Sequence, residues 1–189
     1  MIDLKPACNG MRSVLDAIDD DQLQQPTPCT QYTVADLIDH VDVGVRGFTA
    51  LAHGDGAGVV ADSQLVYQQP GWRDLLADRL GALAAAWDDP AAWERVGEVP
   101  GSDLPNDTWA KIAFTELVVH GWDLAVATGQ PFDLPEPTLQ ACLDHVAGFL
   151  PNAPLPELWG PPLEVPDDAP LLDQILAITG RDPAQAPAG

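Results

Sequence analysis

Apolar residues recur every three or four positions in six stretches of this 189-residue chain. That spacing is the period of an amphipathic α-helix, which has one apolar and one polar face. The stretches cover residues 4–22, 33–53, 72–87, 106–129, 135–150 and 171–179. No run of strand-like segments alternates with them. The pattern therefore predicts an all-α fold, in which four longer helices form a bundle and a short C-terminal helix is added to it.

Residues with capping preferences mark the ends of these helices. Thr33 and Asp36 form a capping-box pattern at the start of the second helix, with Asp where Glu or Gln is usual. Asn106, Asp107 and Thr108 are predicted cap residues at the start of the fourth helix, and Asp168 is predicted to cap the last one. The whole chain has the length of a single domain with a sizeable core, and the sequence from about Arg181 reads as a tail.

Residues 88–105 interrupt the helical pattern. They contain three prolines and little periodicity, which predicts a long loop with room for a short strand or a helical turn. Long loops in compact domains are often functional. We therefore expect a solvent-filled cleft between this loop and the bundle to admit a small-molecule substrate.

The fourth helix carries the most informative pair of residues in the chain. Glu116 and His120 lie four positions apart in a helix that is apolar on most sides, so they share one of its faces. A carboxylate in such a helix needs a partner, and a metal ion suits both groups. Trp109 lies two turns before Glu116, near the same face, and is a candidate to line a cavity.

His40 supplies a third candidate ligand from the second helix. It lies between apolar positions 37 and 41, so its face is at least partly inward. A lone histidine in this position is more often a packed core residue. Together with Glu116 and His120, however, it completes two imidazoles and one carboxylate, which is a catalytic type of metal site. Zinc takes such a set and keeps an open position, and nickel, iron or manganese can use the same ligands.

Asp123 is the candidate catalytic residue beside these ligands. It follows His120 by three residues and Glu116 by seven, so it shares their face. It can orient a ligand by accepting its hydrogen bond, or bind substrate. A simple ion pair is the alternative. His53 and His145 are predicted to lie outside the site.

Composition excludes several classes of partner. The chain has 29 acidic and 8 basic residues, for a net charge of −21. Binding to nucleic acid or to an anionic membrane surface needs lysine and arginine, so neither is expected. No apolar run is long enough to span a bilayer, and no secretion signal is visible at the N-terminus. The three cysteines have no metal-type spacing, which fits a reducing cytoplasm.

Three segments resemble a known protein family. They read Thr-Pro-Cys at 27–29, Tyr-Thr-Val-Ala-Asp-Leu-Ile-Asp-His at 32–40 and Glu-Leu-Val-Val-His-Gly-Trp-Asp-Leu-Ala at 116–125. Together they resemble the N-terminal-domain family of mycothiol-dependent maleylpyruvate isomerase, within the DinB/YfiT-like superfamily. Residues 171–183 also resemble the ending of an actinobacterial subgroup of metal-binding proteins in that family. The resemblance covers nearly the whole chain.

This resemblance implies a DinB-like four-helix bundle that holds a divalent metal, usually zinc, with one His and a Glu-x-x-x-His pair. Those positions correspond to His40, Glu116 and His120. It also implies that mycothiol or a similar low-molecular-weight thiol reaches the metal, loses its proton and adds to an electrophile. The isomerase has a second, C-terminal domain, and the roughly sixty residues after Asp123 are too few for it. An S-transferase reaction is therefore favoured over isomerisation of maleylpyruvate.

Three hypotheses follow for the function. The first is a zinc-dependent enzyme that transfers a thiol to a small electrophile. The second is a protein that binds a metal or a ligand without catalysis. The third is an isomerase or cyclase of secondary metabolism that uses the cavity of the same bundle.

Overall fold

The chain folds into α-helices joined by turns and short 3-10 segments. The computed structural model describes residues 1–56, 62–95, 99, 104–152 and 159–185. These residues contain seven α-helices: α1 (Lys5–Asp16), α2 (Val34–Ala52), α3 (Trp72–Ala86), α4 (Pro90–Glu94), α5 (Asn106–Ala127), α6 (Glu136–Phe149) and α7 (Leu171–Ile178). Within these ranges extended pairing is limited to isolated bridges, such as that between Pro26 and Thr33. The predicted all-α class is confirmed.

Four of the helices form the bundle. Helix α5 packs on α1 and on α2, and both of these pack on α3, so the four helices close a ring around one core. The core side chains are buried on all four, as at Met11, Leu37, Leu76 and Phe114. Helices α6 and α7 pack on each other, and α6 also packs on α5. The short C-terminal helix is therefore an addition outside the ring, as predicted.

The second helix begins as the sequence indicates. The Thr33 side chain accepts a hydrogen bond from the Asp36 backbone N–H, at 3.2 Å. The Asp36 carboxylate accepts one from the Thr33 backbone N–H in return, at 3.0 Å. Aspartate thus completes the capping box, which fixes the start of α2 and with it the direction of His40.

Two predicted helix caps are wrong. Pro105 is the N-cap of α5, and Asn106 is its first helical residue; the buried Asn106 amide instead donates to the Ala92 carbonyl, at 2.9 Å. Pro170 is the N-cap of α7, so the first helical residue, Leu171, lies three residues after Asp168. In both places a proline fixes the extended backbone just before the first turn, and no side-chain cap is needed to begin the helix.

Part of the predicted 88–105 loop is helical. Asp89 accepts a hydrogen bond from the Ala91 backbone N–H at 2.9 Å and caps α4, which packs on α5. Residues 96–98 and 100–103 lie outside the described residues. The part of the predicted cleft that these residues would border therefore also lies outside them. Leu104, the first described residue after the gap, lines a cavity described below.

A fully buried carboxylate joins α2 to α3. Asp42 has no exposed side-chain area and forms ion pairs with Arg46, at 2.8 Å, and with Arg79. The two guanidinium groups keep about a fifth of their area exposed, which lowers the desolvation cost of the cluster. Asp42 lies two residues after His40, and its partners hold the middle of α2 in place.

Candidate metal centre

Helices α2 and α5 bring the three predicted ligands together. The Nε2 atom of His40 lies 3.2 Å from Oε2 of Glu116. The Nε2 atom of His120 lies 3.1 Å from the same oxygen, across one turn of α5. The two imidazole rings meet edge to face with their centroids 4.9 Å apart. One donor atom from each residue lies within 4.8 Å of the other two, which is close enough to share an ion.

The three side chains differ in their access to solvent. His120 is buried, with 8% of its side chain exposed, whereas Glu116 keeps 27% and His40 keeps 37%. The set is thus anchored at one end in the core and open at the other. Two neutral imidazoles and a carboxylate are donors that zinc accepts, and an open side leaves a position for water or substrate. The residues present therefore fit a catalytic type of zinc site.

The electrostatics of the cluster favour an ionised carboxylate. Burial alone would raise the pKa of Glu116, but the charge of His120 and hydrogen bonds from both histidines hold that pKa well below its usual range. Burial alone would lower the pKa of His120, but Glu116 and Asp123 raise it to about 9. In the metal-free protein a proton on His120 thus occupies the place that a cation would take.

Asp123 fixes the orientation of His120. Its fully buried carboxylate lies 2.9 Å from Nδ1 of His120. A carboxylate only accepts, so Nδ1 carries the hydrogen and Nε2 is directed towards Glu116 and His40. This is the arrangement that metal-binding histidines commonly use. Asp123 therefore accepts a hydrogen bond from the candidate ligand His120, as one of its two predicted roles requires.

Arg181 completes this chain of contacts, and sequence reasoning missed it. Its Nη2 lies 3.1 Å from Oδ2 of Asp123, and its Nη1 donates to the Thr179 carbonyl at 2.8 Å. Only 9% of the side chain is exposed, so Arg181 belongs to the site and not to a tail. The available signal was a basic residue directly after a helix-ending Gly180, in a chain with few basic residues.

Cys29 lies at the same site. Its sulfur is within 4.8 Å of donor atoms of His120 and Asp123. Burial raises the pKa of this thiol, and the nearby carboxylates of Asp123 and Glu116 raise it further, against the opposing effect of Arg181. The residues next to Cys29 in the sequence offer no base, so the sequence alone does not indicate a reactive thiol. The neighbours that matter come from α5 and from the segment after α7.

A cavity of about 570 Å³ opens onto the ligands. Its walls come from the connector before α2, from α2, α5 and α6, from Leu104 just before α5, and from the segments that flank α7. They comprise Pro28, Cys29, Thr30, Gln31, Tyr32, His40, Leu104, Trp109, Ile112, Glu116, His120, Phe149, Trp159, Gly160, Pro161, Gly180 and Arg181. Its size and its mixture of apolar walls with a few polar groups suit a small-molecule site. Trp109 lines it, as predicted.

The other two histidines lie elsewhere. His53 is exposed at the C-terminal end of α2, as predicted. His145 stacks on Phe149 within α6, with ring centroids 5.1 Å apart. Burial lowers the pKa of His145 to about 4, so it is neutral at physiological pH. Neither belongs to a group of potential metal ligands among the residues that the structure describes. Over the same residues, no helix combines the length and apolar character needed to cross a bilayer.

Some known proteins are similar to this chain in sequence, and others are similar to it in fold. Two Mycobacterium tuberculosis proteins, from different strains and both described as uncharacterized, are 31% identical over 171 residues. The match covers 85% of this chain and 86% of each relative. The crystal structure of the mycothiol-dependent maleylpyruvate isomerase superposes with a TM-score of 0.53 at 19% identity. A histidine-to-alanine mutant of that enzyme gives the same TM-score at 17% identity.

These structural matches cover 76% of this chain and 65% of the isomerase, so the chain spans less than two thirds of that protein's length. At such low identity the similarity concerns the fold, and it confirms the predicted DinB-like bundle. A sequence profile described as "Mycothiol maleylpyruvate isomerase N-terminal domain" matches residues 4–125, which is more than half of the chain. The chain therefore belongs to the mycothiol maleylpyruvate isomerase N-terminal domain family.

Proposed function

We propose that His40, Glu116 and His120 hold a divalent metal, zinc foremost, and that the protein transfers a low-molecular-weight thiol of the mycothiol type to a small electrophile. One observation carries this proposal: three donor atoms from two helices converge on the wall of a 570 Å³ cavity. The membership in a mycothiol-related family supports the choice of thiol. Nickel, iron and manganese are alternatives that the same donors accept.

The bound metal would act as a Lewis acid and lower the pKa of a coordinated thiol. Asp123 holds the hydrogen of His120 on Nδ1, which leaves the lone pair of Nε2 available to a metal ion. Arg181 balances the charge of Asp123 and keeps that carboxylate in place. The S–H bond breaks, its proton passes to solvent, and the sulfur forms a bond to the electrophilic carbon. The displaced electron pair leaves with a leaving group or takes a proton from water.

An isomerase is the second candidate, and the family membership favours it. Its first step is the same, because the thiolate adds to one carbon of a polarised double bond. Rotation about the resulting single bond and loss of the thiolate then return the thiol unchanged. The two reactions differ in a measurable way: the transferase consumes one thiol per turnover, whereas the isomerase consumes none. A protein that only binds a metal would do neither.

Metal content and thiol binding test the proposal directly. We expect about one equivalent of zinc in the purified protein, measured by elemental analysis, and its loss from the His120→Ala variant. His53→Ala is the matched control, because that histidine is exposed and distant from the ligands in the fold. Calorimetric titration with mycothiol should show binding only to the metal-loaded protein. Absence of metal, or metal retained equally by both variants, would contradict the proposal.

A further inference from the structure

A second cavity of about 240 Å³ adjoins the candidate ligands and has a different chemical character from the first. Both cavities are lined by His40, Glu116 and His120, and also by Trp109 and Ile112. Apart from the three ligands, every side chain that lines the second cavity is aliphatic or aromatic. They come from α2, α3 and α5, for example Phe48, Leu83 and Leu117. Only the larger cavity also has polar walls from the connector before α2 and the segment after α7.

The second cavity is partly open to solvent, and its volume leaves room for a ligand group. An apolar cavity of about 150 Å³ already accommodates a benzene ring. The cavity beside α2 is larger, so a single aromatic ring or a short alkyl chain fits its volume.

Trp109 forms an aromatic part of the wall that the two cavities share. Its indole nitrogen is buried with almost no accessible surface, so a ligand in either cavity meets the indole ring and not its N–H. The ring of Phe48 lies beside it, with centroids 6.3 Å apart. The pair therefore offers an aromatic wall, which suits an apolar group.

We propose that this second cavity binds an apolar aryl or alkyl substituent of the electrophilic substrate, which packs against the rings of Trp109 and Phe48. The polar thiol then occupies the larger cavity, and the two meet at the metal ligands. The assignment of the apolar group as part of an electrophile rests on the proposed function. An anionic substituent is disfavoured there, because the lining includes the Glu116 carboxylate and no lysine or arginine.

The cavity is tested with compounds that cannot react. N-alkylsuccinimides are saturated analogues of thiol-reactive maleimides and carry a carbonyl beside an apolar chain. We expect affinity for the purified protein, measured by calorimetry, to rise about fourfold per added methylene, or about sixtyfold from N-methyl to N-butyl. We also expect the indole N–H resonance of Trp109, assigned with Trp109→Phe, to move in the nitrogen–proton spectrum. Affinity independent of chain length, or a stationary Trp109 resonance, would overturn the proposal.

A matched pair of glycine variants locates the binding. Gly44 lines the cavity, and a Cβ there would meet only Phe48 ring carbons at 3.6 and 3.8 Å, so Gly44→Leu can extend into the space. Gly81 lies within α3, is exposed, and has nothing within 4 Å of an added Cβ. Gly44→Leu should abolish the dependence on chain length, whereas Gly81→Leu should leave it unchanged. Equal binding by the two variants would refute the location.

The binding test is independent of turnover. If the succinimides bind as expected but N-alkylmaleimides and mycothiol give no conjugate above the uncatalysed rate, the proposed reaction fails and the apolar site stands. If conjugation occurs at a rate that ignores chain length and the succinimides bind no better as the chain grows, the apolar site fails and the reaction stands.

Discussion

Replacing Asp123 by asparagine tests two roles of this carboxylate: it orients the candidate ligand His120, and it stabilises the fold through Arg181. The wild-type carboxylate is fully buried between Nδ1 of His120, at 2.9 Å, and Nη2 of Arg181, at 3.1 Å. The isosteric amide loses the charge and turns a donor towards one of these two donors. His120 is then held less firmly in the tautomer that directs Nε2 towards the ion.

The expected magnitudes follow from the contacts. Loss of a group that orients a metal-binding histidine typically weakens metal affinity by about 10- to 100-fold, or about 1.4 to 2.7 kcal/mol. Breaking a buried ion pair lowers the free energy of unfolding by about 3–5 kcal/mol, and Arg181 is buried enough for that range to apply. Zinc affinity is measured by competition with a chromogenic chelator, and unfolding is followed in urea with metal removed.

Asp42→Asn is the matched control. Asp42 is equally buried and also has two partners, Arg46 and Arg79, but it contacts none of the three candidate ligands. We expect Asp42→Asn to lose stability, somewhat less because its arginines are partly exposed, and to keep its zinc affinity. If Asp123→Asn and Asp42→Asn bind zinc equally well, then Asp123 does not act on the metal through His120, and our reasoning is refuted.

Three further predictions concern pH, thiol reactivity and a close backbone contact. Because the pKa of His120 is raised to about 9, zinc must displace a proton from this residue at lower pH. Chelator competition should show zinc affinity rising about tenfold per pH unit up to about pH 9 and then levelling. A flat profile would contradict this. At pH 8, iodoacetamide should modify half-buried Cys29 first, because burial raises the pKa of Cys8 and of Cys142 to about 12. Peptide mass spectrometry gives the order of modification, and earlier modification of Cys8 or Cys142 would contradict this. Gly180 has φ +78°, and an added Cβ would lie 2.5 Å from the Gly160 Cα; at Gly129 φ is +71° and nothing lies within 4 Å of an added Cβ. Gly180→Ala should therefore lower the free energy of unfolding more than Gly129→Ala does. Equal losses in urea titrations would contradict the close contact.

The sequence predicted that the three candidate ligands lie together, and for two of them the reason is local geometry. Glu116 and His120 are four residues apart in a helix, so their common face follows from the helical period alone. His40 needed one more step, the expectation that an inward position on α2 faces an inward position on α5. The capping box at Thr33 and the apolar stripes were likewise short-range patterns, and they gave the bounds of α2 closely.

The parts that the sequence did not predict depend on long-range contacts. Arg181 is 58 positions from Asp123, and no periodicity connects a residue after α7 with the middle of α5. Cys29 is brought to the site in the same way, by the packing of the connector before α2 against α5. The caps at Asn106 and Asp168 were predicted from side-chain preference, and a preceding proline decided the helix start in each case.

The pairing of Arg181 with Asp123 also links occupancy of the site to local opening of the chain. The backbone N–H of Arg181 donates to the Leu176 carbonyl at 2.8 Å, so this amide is exposed when the segment after α7 detaches. An ion bound at His120 favours the state in which Asp123 is held between His120 and Arg181, and detachment breaks the contact with Arg181. Hydrogen exchange at the Arg181 amide should therefore slow when zinc is added. The end of α7 would then report on events at α2 and α5, although it supplies none of the three donor atoms.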